Sequence, residues 1–359
     1  MKPLLRRSNL LPGESLPSLL ERLSLLNYYN TGTIGWLCHS NESNQCRINI
    51  TQPNSAQAFF QLAQLTLISP EDLLAASKHF FAPLLYSSKN TKTFMRWFDG
   101  KNIQLLNIAY RKIRPSHAAQ FCPICLKNSP YHRLAWMPIS SAICLQHKCL
   151  LLDQCPTCLK NITVAEIVAH QCKACKTDLA QIPPASAIDY NELGILSQRV
   201  IQSWLSLVPA PSLPINHTLP ESSAVMHLLW ERLRMSLLTC QVDWNSLQTP
   251  LAGLHLYIPK TLNLRKKLPP KYAYYLYSKT FAGILNWPQG FYDFLDAYGQ
   301  RNFNVFWSRN IRVRLGSLGQ WFCKILGQPE FMSLHPVLQE YISARYLSLP
   351  ISCQALNNI

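Results

Sequence analysis

The chain has 359 residues, of which 48% are hydrophobic and 14% charged; this excludes a disordered protein and allows two or three domains. Its 34 Lys and Arg against 18 Asp and Glu give a formal net charge of +16, which points to a polyanionic partner. No apolar run of about 18 residues and no signal-peptide core is present, and the 12 glycines form neither G-x-x-x-x-G-K-S/T nor G-x-G-x-x-G, so a spanning helix, secretion and nucleotide hydrolysis are not expected.

In chain order, Ser15 is placed to cap a first helix, with Leu16, Leu19, Leu20, Leu23 and Leu26 on one stripe. A second helix is predicted over Ala56 to Leu67, with Phe59, Phe60, Ala63 and Leu67 inward. A third follows from Ser69, an N-cap with Pro70 at the first helical position, and carries Leu73, Leu74, Lys78, Phe80 and Phe81. Two helices on a tight turn read as a helix-turn-helix-like unit, or equally as an ordinary helical hairpin.

The strongest pattern comes next. Cys122-Pro123-Ile124-Cys125, Cys144-Leu145-Gln146-His147, Cys155-Pro156-Thr157-Cys158 and Cys172-Lys173-Ala174-Cys175 are four half-sites in series. Each sets two soft or borderline ligands three apart, so that a tight turn can aim both at one metal. Two half-sites complete a tetrahedron, and four predict two closed, structural Zn2+ sites, a double zinc-ribbon module. Sequential pairing joins Cys122, Cys125, Cys144 and His147, then Cys155, Cys158, Cys172 and Cys175; an interleaved cross-brace is the rival. Thirteen Cys, mostly clustered, fit metal ligation in a reducing cytoplasm better than disulfides. Cys149 fits no half-site and is expected to be a free thiol, and His132 is expected to be structural.

A helix is expected over Tyr190 to Leu207, then a Pro-rich linker near residues 208–223. Further helical patterns cover Ala224 to Leu238, Pro288 to Tyr298, Arg312 to Leu326 and Pro336 to Leu347. Basic side chains interleave with aromatic ones in three places. The first holds Lys89, Lys92, Arg96, Lys101, Arg111, Lys112 and Arg114. The second holds Arg265, Lys266, Lys267 and Lys271 before Tyr272, Tyr274, Tyr275 and Tyr277, and the third Arg309, Arg312 and Arg314 near Phe306 and Trp307. These are candidate nucleic-acid contacts: the cations neutralise phosphates and the rings stack on bases. The bland alternative puts the rings in the core and the charges on a solvated face.

Several of these motifs together resemble one family. Pro12-Gly13-Glu14-Ser15-Leu16-Pro17-Ser18 through Arg22 resembles the opening of the TniQ/TnsD family of transposon target-selection proteins. Phe121-Cys122-Pro123-Ile124-Cys125 with Trp136, the Cys144 to Leu151 stretch, and Trp287-Pro288-Gln289-Gly290-Phe291 are similar to later family motifs. The resemblance implies a protein without transposase chemistry that marks a DNA site of a Tn7-like element and recruits an AAA+ ATPase regulator. It does so either by reading DNA directly or on an RNA-guided CRISPR effector complex. The expected architecture is mainly α: an N-terminal helical domain over residues 1–115, the zinc module over 116–182 and a C-terminal helical domain over 183–359. No catalytic residue is expected, since clustered carboxylates for a catalytic metal are missing; a nucleic-acid-modifying enzyme is the reading of another class.

Overall fold

The computed structural model describes residues 3–30, 34, 56–81, 114, 116–184, 192–205, 207–209, 268–285, 287–293 and 335–346. They fall in two units, one within residues 1–210 and 268–274, the other within 211–267 and 275–359. Among them the helices are α1 (Leu16–Leu26), α2 (Ala56–Thr66), α3 (Pro70–Ala75), α4 (Pro123–Asn128), α5 (Val164–Val168), α6 (Glu192–Trp204), α7 (Pro270–Leu285) and α8 (His335–Tyr346). The described residues contain one two-stranded sheet, β1 (Ile143–Cys144) against β2 (Cys149–Leu150), antiparallel, with Cys144 opposite Cys149. The chain is thus helix-rich, as expected, and no described helix is long and apolar enough to cross a membrane.

The predicted stripe of α1 is its buried face, except that Leu26 at its end is exposed. It packs with Phe59, Leu62 and Leu65 of α2 and Leu73 of α3 in one apolar core. The inward face of α2 differs from the expectation. Phe60 is exposed and Leu67 stands beyond the helix at φ 59°, while Leu62 and Leu65 do the packing, on the same helical side as Phe59. Ser69 caps α3 by accepting from the Asp72 N–H at 3.0 Å, as its sequence predicts. That helix ends at Ala75, however, and Lys78–Phe81 continue as a separate 3-10 turn, so α3 does not reach the two phenylalanines.

Ser15 is the N-cap residue of α1, but its hydroxyl does not cap the helix. It lies 2.8 Å from His132 Nδ1, and the Ser15 N–H donates to the His132 carbonyl at 3.0 Å. The clasp continues on both sides. The His132 N–H donates to Ser18 Oγ at 3.0 Å, the Leu134 N–H to the Gly13 carbonyl at 2.8 Å and the Tyr131 hydroxyl to the Pro12 carbonyl at 2.9 Å. Gly13 makes this approach at φ 66°, a conformation costly for any residue with a Cβ. Glu14, fully buried, accepts from the Ser18 hydroxyl and from Arg22 through Nε at 2.8 Å and Nη2 at 2.7 Å. A carboxylate taken out of water in this way needs its ionic partner and its remaining hydrogen bonds together. The Leu16 N–H meanwhile donates to the Ala76 carbonyl, so the start of α1 is held from the α3 side as well.

Burial holds His132 far below its usual 6.5, at about 3, so the imidazole stays neutral and edge-on to Trp136 at 5.7 Å between ring centres. The Arg133 guanidinium sits over the faces of Tyr131 and Trp136, 5.3 and 5.7 Å from their centres. Behind this loop, α6 docks on the edge of the small sheet. Gln198 Oε1 accepts from the Ala142 N–H at 2.8 Å and Gln202 Nε2 donates to the Ile143 carbonyl at 3.2 Å, which satisfies backbone groups that burial would otherwise leave unpaired.

In the second unit Trp287 stacks on Phe291 at 5.0 Å, and Tyr292 packs against Tyr341 of α8 while donating to the Val337 carbonyl at 3.3 Å. The predicted helices over Tyr190–Leu207 and Pro336–Leu347 correspond to α6 and α8 within a few residues. α7 was not foreseen; it buries Tyr274, Tyr277 and Phe281, so two of the tyrosines offered as base-stacking rings are core residues. The predicted helices over 224–238 and 312–326 and most of the Pro-rich stretch near 208–223 lie outside the described residues.

Replacing Glu14 by Ala leaves Arg22 and Ser18 facing an empty, dry site. The expected loss is about 3 kcal/mol, read as a lower denaturant midpoint with the slope of the transition unchanged. An unchanged midpoint would mean that the clasp contributes nothing.

Candidate metal centres

The four half-sites are built by short local devices. Cys122 caps α4, its sulfur accepting from the Cys125 N–H, and Pro123 takes the first helical position, so both thiols leave the same end of one turn. The other three are knuckles with a shared backbone form. Lys148 follows His147 at φ 48°, Leu159 follows Cys158 at φ 59° and Lys176 follows Cys175 at φ 63°. The Leu159 N–H returns to the Cys155 carbonyl and the Lys176 N–H to the Cys172 carbonyl, both at 2.8 Å. Single bridges, Gln154 with Asn161 and Gln171 with Asp178, close the last two knuckles, so the expected ribbons are reduced to turns.

These turns converge. The ligand atoms of Cys122, Cys125, Cys144 and His147 all lie within 4.8 Å of one another, and so do those of Cys155, Cys158, Cys172 and Cys175. The pairing is the sequential one, not the cross-brace. In the first group His147 Nδ1 is 3.4 Å from Cys122 Sγ, 3.2 Å from Cys125 Sγ and 3.6 Å from Cys144 Sγ, with Cys125 and Cys144 sulfurs 3.6 Å apart. In the second, Cys155 to Cys175 is 3.5 Å and Cys158 to Cys172 is 3.7 Å. A tetrahedral Zn2+ with bonds of about 2.0–2.3 Å sets its ligand atoms roughly 3.5–3.8 Å apart, so both donor sets fit the ion. Four protein ligands leave no open position for water, which is the chemistry of a structural site.

The electrostatics are those of groups arranged for a cation. Hydrogen bonds from Cys125, Cys144 and Cys149 hold the Cys122 thiol well below its ordinary range, and the same contacts with burial push Cys125 and Cys149 up. Charge on one sulfur thus opposes charge on its neighbours, a conflict that a divalent cation removes as it displaces the protons. In the second group, hydrogen bonds from the side chain and backbone of Thr177 hold Cys175 down at about 6. The two groups share one apolar core with Phe121, Trp136, Ile162 and Ile167. α5 links them: Glu166 closes a capping box with Thr163 and also accepts from the Lys173 N–H at 2.7 Å, next to Cys172.

Of the candidate nucleic-acid contacts, Lys271 is exposed. Arg114 is not a surface group: it is buried, 3.1 Å from Asp153 through Nη1, with Nη2 donating to the Leu268 carbonyl. Burial lowers the proton affinity of its guanidinium and Asp153 supports it, so the side chain ties the Leu268 segment to the metal module and is not available to phosphate. Lys89, Lys92, Arg96, Lys101, Arg111, Lys112, Arg265, Lys266, Lys267, Arg309, Arg312 and Arg314 lie outside the described residues. The sequence reading missed Glu14 and Ser15 as partners of the 132–134 loop; Cys149, expected to be a free thiol, belongs to neither group of four, and its sulfur is 3.4 Å from that of Cys122.

The described part of this basic chain is thus a helical opening clasped to a module whose two four-donor groups could each hold a metal ion. The TniQ family model matches residues 5–151, so this segment of the chain is similar to a TniQ domain. The match runs from before α1 to the end of β2 and takes in the clasp and the first metal group, while the second group follows directly after it. A TniQ domain implies a transposon-associated role in target selection. A search of the curated proteins gives no match to the chain.

The purified chain is expected to hold about two zinc ions. Cys155→Ser should remove one and destabilise the knuckles locally, as elemental analysis and thermal melting would show. Less than one zinc in the unaltered protein would refute the assignment. Leu159→Gly should stabilise by up to about 1 kcal/mol, because the left-handed conformation costs glycine nothing; a lower melting temperature would contradict this.

Proposed function

We propose that this protein is a target-selection adaptor that binds DNA, an RNA-guided effector complex or both, recruits the AAA+ regulator of a Tn7-like transposon, and does no bond-breaking chemistry itself. The observation that carries the reading is the coincidence of the TniQ match over residues 5–151 with the clasped unit of α1 and the first metal group. Recruitment needs a preformed surface, and this unit supplies one: its helices and loop are fixed by buried hydrogen bonds and by closed metal sites. The net charge of +16 supports contact with nucleic acid. The reading places the protein in the cytoplasm, where thiols stay reduced and zinc keeps them so.

Docking on a guide complex, with phosphate contacts only, is the preferred form. The isolated chain then binds all duplexes alike and loses affinity steeply with salt. Direct reading of a site, as for a TnsD-like protein, would instead give a specificity ratio on the order of 10³ or more.

A competition assay of random duplex against DNA from the insertion locus, at two salt concentrations, distinguishes the two. Equal binding is expected, and strong preference for the locus would reverse the choice. Changing Lys89, Lys92, Arg96 and Lys101 together to Gln should weaken binding to every duplex and flatten the salt slope by roughly 0.9 for each phosphate no longer neutralised. Arg114→Gln, by contrast, should lower the melting temperature, because Asp153 is then buried without its cation. Arg114→Gln changing the slope while leaving stability intact would overturn its assignment as an internal tie.

A further inference from the structure

The first metal group has a neighbour that its half-sites do not include. Cys149 is buried, and its sulfur stands 3.4 Å from Cys122 Sγ, as near as the ligands of the group stand to one another. Its placement is set by the sheet. Cys149 on β2 is directly opposite Cys144 on β1, and side chains opposed across an antiparallel pair project from the same face. The face that carries the ligand Cys144 therefore carries Cys149 too. The second group has no such neighbour among the described residues: the polar group beside Cys175 is the Thr177 hydroxyl, at 3.1 Å.

We propose that Cys149 is a fifth, reserve ligand of the first metal centre, interchangeable with Cys122. The inference rests on the zinc reading of the group. The exchange is neutral overall. With an ion in the group, either Cys122 Sγ or Cys149 Sγ would complete the set beside Cys125, Cys144 and His147, and whichever sulfur does not bind would carry the proton. The site would keep three thiolates and one imidazole in either state, and Cys149, which now stands against Cys122 alone of the ligands, would move inward to join the other three. Placing Cys149 beside Cys122 rather than Cys125 makes the two ligands of one half-site unequal, since loss of Cys122 can be made good and loss of Cys125 cannot.

The test uses the full chain, loaded with zinc for stoichiometry and with cobalt for spectroscopy. Unaltered protein should hold about two ions; less than one would fail the zinc reading itself, and one, with the first centre empty, would overturn the proposal. Cys125→Ser should drop to about one. Cys122→Ser should keep about two, with the sulfur-to-cobalt charge-transfer band as intense as in the unaltered protein, because three thiolates still bind. Cys122→Ser with Cys149→Ser should drop to about one, the ion retained at the second group reporting that the module is still folded. If Cys122→Ser alone falls to one ion, or its band weakens by the share of a thiolate, Cys149 is no ligand. If the double variant keeps two ions, some other group is the substitute; either result overturns the proposal.

Discussion

The convergence of eight sulfur and nitrogen donors into two compact groups is the constraint on which the first unit depends. Between Ser116 and Ile182 the structure consists mostly of turns, two five- or six-residue helices and a sheet of two residues per strand. Elements so short cannot hold themselves in water. About a third of their apolar core consists of the cysteines themselves, set among Phe121, Trp136, Ile162 and Ile167. A cation that ties each group would close these turns and, through them, hold the loop at residues 131–134 in the conformation that meets the N-terminal helix. That loop in turn receives Gly13, Ser15 and Ser18, and on the zinc reading the N-terminal helix takes its position from the metal centres.

This dependence gives physical content to the stretch from Pro12 to Arg22, which lies within the segment that the TniQ model matches. Glu14, Ser15, Ser18 and Arg22 are not a helix cap with a solvated face. Glu14 is a buried carboxylate that holds Ser18 and Arg22 in place, and Ser15 gives up the usual task of an N-cap hydroxyl to meet a neutral, buried imidazole. The prolonged match of the family model, ending at Leu151, follows the same physics, since the segment that docks and the knuckle that receives it form one structure.

The two four-donor groups were legible in the sequence because the convergence of each half-site is local. A pair of soft ligands three apart needs only a tight turn, and the chain supplies four such pairs. The stripe of α1 and the Ser69-Pro70 start of α3 were legible for the same reason. What was not legible depends on partners far along the chain. Ser15 and His132 are 117 residues apart. Arg114 has the same sequence appearance as Lys112 or Arg111, and only the presence of Asp153 39 residues later makes it an internal tie. Phe60 and Leu67 were misplaced because a short helix tolerates more than one apolar face, and the packing of α2 against α1 selected Phe59, Leu62 and Leu65. The nearness of Cys149 to Cys122 was not legible because it is a property of strand register and of the turn that precedes α4, not of spacing along the chain.

The central claim, that the metal centres position the N-terminal helix, is tested most directly by amide hydrogen exchange on the full chain with and without a zinc chelator. The Ser15, Leu134 and His132 amides, each bonded across the clasp, are the reporters. The account predicts that on metal removal they lose protection together with the Cys155 and Cys172 amides of the knuckles. Protection of the clasp amides that persists after the knuckles have opened would contradict it.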